Sequence, residues 1–296
     1  MSKTKNSTKP INNGMQIPKI IIVLGHTLQA ISHSLATLYA IKLFKTPFKF
    51  KTPLAEKTME NNTKKKIVSI PEINKEIMVY TYGNSKKKVL LVHGWSGRGT
   101  QLFSIANKLV ENGYMTISFD APAHGKSKGK STMMPEFISC ILQLEKEFGP
   151  FEIAIGHSLG AMAVLNSIKK GLNVKKAITI GAGDIITDII INFIEKIDLK
   201  PIIVQKMKIY YLKKFNFDID TLSASVAAKQ VKIPILVIHD NNDKEVSVNC
   251  AYNIDKNLEN GETFITNNLG HTRILKDKTV VQRVLEFILQ NDQSSN

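Results

Sequence analysis

A chain of 296 residues is long enough to bury one large α/β core, and its 43% hydrophobic content is ordinary for a globular protein. Two cysteines, Cys140 and Cys250, exclude a disulfide framework, and neither they nor the histidines show metal-ligand spacing, so no metal or other cofactor is expected. The net charge of +15 sits early, with twelve lysines against two glutamates in residues 1–66; with only three arginines (Arg98, Arg273, Arg283) and no basic reading helix, nucleic-acid binding is not expected.

Residues 1–18 are rich in Lys, Asn, Ser and Thr and read as a disordered basic tail. From Ile20 to Phe44, apolar residues such as Leu28, Ile31, Leu35 and Leu38 recur at helical spacing, which predicts an amphipathic helix; with the linker behind it this unit covers residues 19–60. Polar residues interrupt any run of the roughly 20 apolar residues a membrane span needs. The apolar core is too short, and lacks a small-residue cleavage site, for a signal peptide. The helix is expected to pack on the main domain. Its flanking lysines (19, 42, 45, 49 and 51) offer a second reading, contact with an anionic membrane surface through residues 19–51. A cytoplasmic protein, or one peripheral at the inner face of the membrane, is the expectation.

The main domain is expected over residues 61–292. Strands near 67–70 and 76–82 make an antiparallel start, followed by strands near 88–93, 115–120, 151–156, 176–181, 234–239 and 263–266. Helices are expected near 101–112, 134–147, 158–170, 247–257 and 277–290. That alternation predicts an α/β fold with a mostly parallel eight-stranded sheet covered on both faces. About fifty residues, 184–232, separate two core strands and carry helical patterns, too long for a structureless loop.

Gly156-His157-Ser158-Leu159-Gly160 follows the apolar run Phe151–Ile155 and opens a helix-favouring segment. Strand, sharp turn, helix is the setting of a nucleophile elbow, in which Gly156 and Gly160 leave room for neighbouring backbone and the serine projects above the sheet. Taken alone, the pentapeptide also describes a plain turn with Ser158 as an N-cap. A serine needs a base, and the base needs an acid to orient it, in the chain order Ser, Asp or Glu, His. The sequence supplies that order: Asp243 is the first choice of acid, with Asp240 second and Glu245 third, and His271 is the base. Both fall on loops after predicted strands. The strand Lys88–Val92 runs into His93-Gly94-Trp95. The backbone N–H groups of Trp95 and Leu159 are the candidate oxyanion donors, and His93 reads as a structural histidine bonded to loop backbone.

With His93-Gly94-Trp95, Asp120-Ala-Pro-Ala123-His124-Gly125-Lys-Ser127, the elbow, and the Asp243 and Gly270-His271 loops, the chain resembles the α/β-hydrolase superfamily over about residues 75–292. Ala123 stands where glycine is usual, which constrains the loop backbone. Leu269–Leu275 resembles one bacterial branch of simple serine hydrolases. The resemblance implies an α/β-hydrolase fold with a small helical cap at about 184–232. It also implies hydrolysis of a carboxylic ester or thioester through an acyl-enzyme, on a small-molecule acyl substrate. Cap residues Ile190, Phe193, Ile194, Met207 and Tyr210 suggest an apolar substrate portion. An acyltransferase on the same three residues, or a non-catalytic membrane-surface or binding module, are the alternatives.

Overall fold

The computed structural model describes residues 17–290, so the tail expected at the N-terminus lies, save for its last two residues, outside the described residues. Eight strands form one sheet: β1 (Lys64–Ile70), β2 (Lys75–Tyr82), β3 (Lys88–Val92), β4 (Met115–Asp120), β5 (Ile153–His157), β6 (Lys176–Ile180), β7 (Ile235–Asp240) and β8 (Gly261–Thr266). Their spatial order is β1-β2-β4-β3-β5-β6-β7-β8. The β1–β2 and β2–β4 pairings are antiparallel and all others parallel.

The helices, in chain order, are α1 (Lys19–Ile31), α2 (His33–Phe44), α3 (Leu54–Asn62), α4 (Phe103–Glu111), α5 (Met134–Phe148), α6 (Leu159–Lys169), α7 (Ile186–Lys196), α8 (Ile202–Phe215), α9 (Ala224–Ala228), α10 (Asn249–Lys256), α11 (Gly270–Arg273) and α12 (Lys278–Leu289). The central strands are short apolar runs because both of their faces are covered. Side chains alternate between the faces with period two. Leu90 and Val92 of β3 join the core beneath α5, α6, α9 and α10, while Val89 and Leu91 join the core beneath α4 and α12.

The single helix expected over 20–44 is two helices. Ser32 is extended at φ −162° and ψ 130°, and its hydroxyl accepts the Ser34 N–H at 3.2 Å, capping the second helix. Serine is favoured at such a cap because its side chain satisfies a donor the helix leaves open. The segment behind α2, expected as linker, contains α3. Pro53 precedes the helix, and its fully buried Met59 joins the core with α4. Its buried Glu56 accepts the Thr100 hydroxyl at 2.7 Å.

A third core joins the N-terminal helices to the insertion between β6 and β7. Ala36, Ala40 and Ile41 of α2 pack with Ile190 and Ile194 of α7 and Ile203 and Met207 of α8. The Phe44 and Phe193 rings meet edge to face at 5.1 Å. The α1–α2 pair is closed by the Tyr39 hydroxyl donating to Ile21 O at 2.9 Å. Lys200 N–H donates to Gln29 Oε1 at 2.7 Å, tying α1 to the α7–α8 turn. This changes the reading of the insertion's apolar residues. Ile190, Ile194 and Met207 are spent on helix packing, and Phe193 covers Phe44, so they do not describe an acyl pocket. The last of the insertion's helical stretches is divided at Ser223 into a 3-10 turn (Ile219–Leu222) and α9. Among the described residues no helix is long and apolar enough to cross a membrane.

Ile190 is fully buried where the three helices meet. Ile190→Ala leaves a cavity that its rigid neighbours fill only in part, and is expected to lower stability by about 2–5 kcal/mol in urea denaturation. A loss under about 1 kcal/mol would show that the third core is loosely packed.

Candidate active site

Ser158 stands between β5 and α6 at φ 53° and ψ −120°, a left-handed φ that is uncommon and strained for a non-glycine residue. Both ends of the turn are fixed. Ser158 N–H donates to Ile180 O of β6 at 2.9 Å, and α6 begins at Leu159. Gly160 lies directly against the Val92 and His93 carbonyls, and Gly156 against Ala161, where an added β-carbon would fall 2.5 Å from Ala161 Cα. The Leu159 N–H is the first of α6 and has no intrahelical partner.

The loop after β3 passes beside the serine. A β-carbon on Gly94 would sit 2.9 Å from Ser158 Cβ, so only glycine lets the backbone come this near. The loop's N–H groups are nearly all engaged. Gly94 donates to Gln101 Oε1 at 3.0 Å, Ser96 to His124 Nε2 at 3.0 Å and Gly97 to Gly94 O at 3.0 Å. The Trp95 N–H makes no hydrogen bond among the described residues.

Two neutral histidines lace this loop to the one after β4. His93 donates from Nδ1 to Gly94 O at 2.7 Å and accepts the Ala121 N–H on Nε2 at 3.0 Å. His124 donates from Nδ1 to Pro122 O at 3.1 Å while its Nε2 accepts from Ser96. Burial pushes the His93 pKa down to about 4 and, with repulsion from His93 added, that of His124 down to about 3. Each ring therefore stays neutral and serves as one donor and one acceptor. Asp120 ties the same loops, accepting from Gly99 N–H at 2.6 Å, Lys126 N–H at 2.7 Å and the Tyr80 hydroxyl at 2.8 Å. Ala123 adopts φ 66°, so alanine here takes a conformation that glycine adopts more cheaply, by about 1–2 kcal/mol.

His271 lies not on a loop but on α11, the single helical turn just after β8. Its Nδ1 is 2.7 Å from Asp243 Oδ2, and the two side chains are 8% and 1% exposed. The other oxygen, Oδ1, accepts the Glu245 and Val246 N–H groups at 2.8 and 3.0 Å. Burial pushes the Asp243 carboxyl up, but the hydrogen bond and charge of His271 and these two amides outweigh it and hold the pKa below the usual carboxylate range. Of the three candidate acids, only Asp243 meets His271. Asp240 turns its oxygens to the Leu269 and Gly270 N–H groups at 3.0 and 2.9 Å and to the Thr266 hydroxyl at 2.7 Å, pinning the turn that carries His271. Glu245 is exposed.

Two further histidines border the pair. The His157 ring lies 4.7 Å from that of His271, and its Nε2 donates to His271 O at 2.9 Å. Burial, then repulsion from His271, pushes its pKa down to about 3. His239, fully buried at the end of β7, donates from Nε2 to Val246 O at 3.1 Å and lies 3.5 Å from Asp243 Oδ2. Sequence reasoning missed its part in holding the acid's loop, because a histidine ending an apolar strand carries no signal of what its ring will face. The Ser158 hydroxyl makes no hydrogen bond among the described residues, so the serine–histidine link is open in this conformation. Beside the acid, Lys244 and Glu245 share a cleft of about 400 Å³ with Asn192, Glu195 and Lys196 of α7. Among the described residues, no group of three or more His, Cys, Asp or Glu side chains is placed to hold a metal.

Residues 87–207 match the protein family described as alpha/beta hydrolase fold. No curated protein matches the chain. Among solved structures, an esterase from Pyrococcus furiosus is similar with a TM-score of 0.61 at 19% identity, over 82% of this chain and 95% of its own. A bromoperoxidase from Bacillus anthracis is similar with a TM-score of 0.59 at 17% identity, over 77% and 100%. Est1E from Butyrivibrio proteoclasticus, solved with ferulic acid bound, is similar with a TM-score of 0.58 at 17% identity, over 76% and 100%. At these identities the likeness establishes the fold.

The lowered pKa values of His93, His124 and His157 have a consequence for stability. The unfolded chain takes up a proton at each near pH 6.5, while the folded protein does so only near pH 3–4. Stability is therefore complete above pH 6.5 and falls with pH below it, each ring adding a limiting slope of about 1.4 kcal/mol per pH unit. Urea midpoints measured between pH 7 and pH 5 should drop steeply. A flat profile over that range would show that these rings are not held neutral.

Proposed function

We propose that this chain, which has the α/β-hydrolase fold, is a serine hydrolase that cleaves a carboxylic ester or a related acyl bond. The observation that carries the reading is the His271–Asp243 pair beside an elbow serine. Asp243 fixes Nδ1–H of His271, which leaves Nε2 as the nitrogen free to take a proton. The reading requires Ser158 Oγ to come within hydrogen-bond reach of His271 Nε2 when substrate binds, and catalytic contacts of this kind are often loose before then.

In the proposed cycle, His271 Nε2 takes the Ser158 proton as Oγ attacks the acyl carbon. Asp243, held ionised, stabilises the imidazolium that forms. The Trp95 and Leu159 N–H groups receive the developing oxyanion. The otherwise engaged amides of the Gly94–Gly97 loop support this assignment, since Trp95 alone in that stretch keeps an idle donor. A donor of this kind is worth about 10²–10³ in rate. The imidazolium then protonates the leaving group, and water, activated by the same nitrogen, releases the acyl group from Ser158. The chemistry needs only these side chains and backbone amides. The substrate class this supports is a small molecule bearing an acyl group.

Intact-mass analysis after a fluorophosphonate probe is the direct test. One adduct is expected on the wild type and none on Ser158→Ala, which should keep its fold and lose turnover. A folded wild type that takes no adduct, or an active Ser158→Ala, would overturn the reading. Asp243→Asn removes the group that selects the His271 tautomer and should lower kcat by about 10⁴ with an ester substrate. Asp240→Asn keeps Asp243 in place and should cost far less, because it loosens the His271 turn without changing the tautomer. Equal losses in the two variants would reassign the acid.

A further inference from the structure

The α1–α2 hairpin buries one face on the third core and leaves the other uncovered. On α1, Ile21, Gly25 and Leu28 turn inward, while Ile20, Val23, Leu24 and Ile31 are 45–76% exposed. On α2, Ala36, Ala40 and Ile41 are buried and Leu35 and Leu38 are 43% and 56% exposed on the opposite side. Six large apolar side chains are thus exposed on two adjoining helices, and exposed apolar surface gathered in this way marks an interaction surface.

Along the chain the charge of this hairpin and its flanks has one sign, while Asp198 of the α7–α8 turn pairs with His26 of α1 at 3.0 Å. Residues 1–55 hold eight lysines and no acidic residue. Of those in the described part, Lys19 lies at the start of α1, Lys42 in the last turn of α2, and Lys45, Lys49 and Lys51 in the segment that follows. None of Lys19, Lys42, Lys45 or Lys51 makes an ion pair among the described residues. An apolar face rimmed by unpaired lysines complements an anionic surface with an apolar interior. The break at Ser32 fixes how such a surface is met. Helices of 13 and 12 residues are each about 20 Å long, well short of the about 30 Å hydrocarbon core, so they can lie in the interface and cannot span it.

We propose that the outer face of the α1–α2 hairpin docks on an anionic lipid bilayer, with its apolar side chains in the acyl boundary and the lysines against lipid phosphates. The segment after α2 links this face to the candidate active site. Phe48 and Phe50 are exposed beside Lys49 and Lys51, and Phe48 N–H donates to the Ser96 hydroxyl at 3.0 Å, next to Trp95. Three residues separate the end of α2 from that contact. The docking does not depend on the hydrolase reading, and its test uses binding alone.

The full chain is to be sedimented with extruded vesicles of phosphatidylcholine, alone or in equimolar mixture with phosphatidylglycerol. Binding to the mixed vesicles is expected, with little to phosphatidylcholine, and it should fall sharply in about 1 M salt, where the Debye length is about 3 Å. Val23→Asp with Leu38→Asp should lower the partition coefficient more than tenfold. Lys19→Gln with Lys42→Gln and Lys51→Gln should lower it about 100-fold, at about fivefold per lysine. All five positions are exposed, so thermal melts of both variants should match the wild type. No sedimentation with the mixed vesicles at low salt would overturn the proposal, as would full binding by the Val23→Asp, Leu38→Asp variant. A wild-type dimer on size exclusion that this variant converts to monomer, without vesicle binding, would overturn it in favour of a second copy covering the face.

Discussion

The close approach of the first turn of α6 to the end of β3 is the constraint on which the rest of the site depends. Gly160 rests on the Val92 and His93 carbonyls, and Gly94 rests on Ser158. The chain can come this close only where the approaching residue carries no β-carbon. The contact brings the loop that carries Trp95 against Ser158 at the start of α6. It also explains why Ser158 tolerates a left-handed φ: β5, α6 and the Ile180 carbonyl over-determine the turn, so local strain of about 1–3 kcal/mol is offset by the packing around it.

Around that contact, buried histidines act as fixed hydrogen-bonding parts rather than as bases. His93 and His124 each bridge the loops after β3 and β4, and His157 holds the backbone of His271. Burial keeps them neutral, which defines their donors and acceptors. His271 differs in its partner. It faces a carboxylate, so its Nδ1 proton is held by charge rather than by a neutral carbonyl. The carboxylates divide in the same way. Asp243 bonds the imidazole, and Asp240, three residues earlier, bonds the backbone of the turn that carries it. The second of these sets the position from which the first can act.

The insertion between β6 and β7 and the N-terminal hairpin are one packing unit. Neither could bury its apolar stripe alone, and α2, α7 and α8 solve this by sharing a core. The hairpin thereby braces the insertion, while α7 borders the loop that carries Asp243.

The sequence by itself determined the sheet. Apolar runs punctuated by turn residues and helical patterns were enough to read eight strands, the antiparallel start and the flanking helices, because period-two and period-3.6 burial are properties of local sequence. It also determined where the elbow turns, since glycines on either side of Ser158 have few other uses. Three things were settled only by tertiary structure. Serine fits both the interior and the cap of a helix, so the break at Ser32 depended on where the hairpin had to fold back onto α7 and α8. The apolar residues of the insertion were legible as buried but not as buried against what, and α2 rather than a ligand took Ile190, Ile194 and Met207. The choice among Asp240, Asp243 and Glu245 turned on which carboxylate β7 and β8 bring opposite His271, a matter of ångströms between groups 28 residues apart. Sequence spacing does not encode such distances, because hydrogen bonds across a fold are fixed by the packing of the elements that carry them.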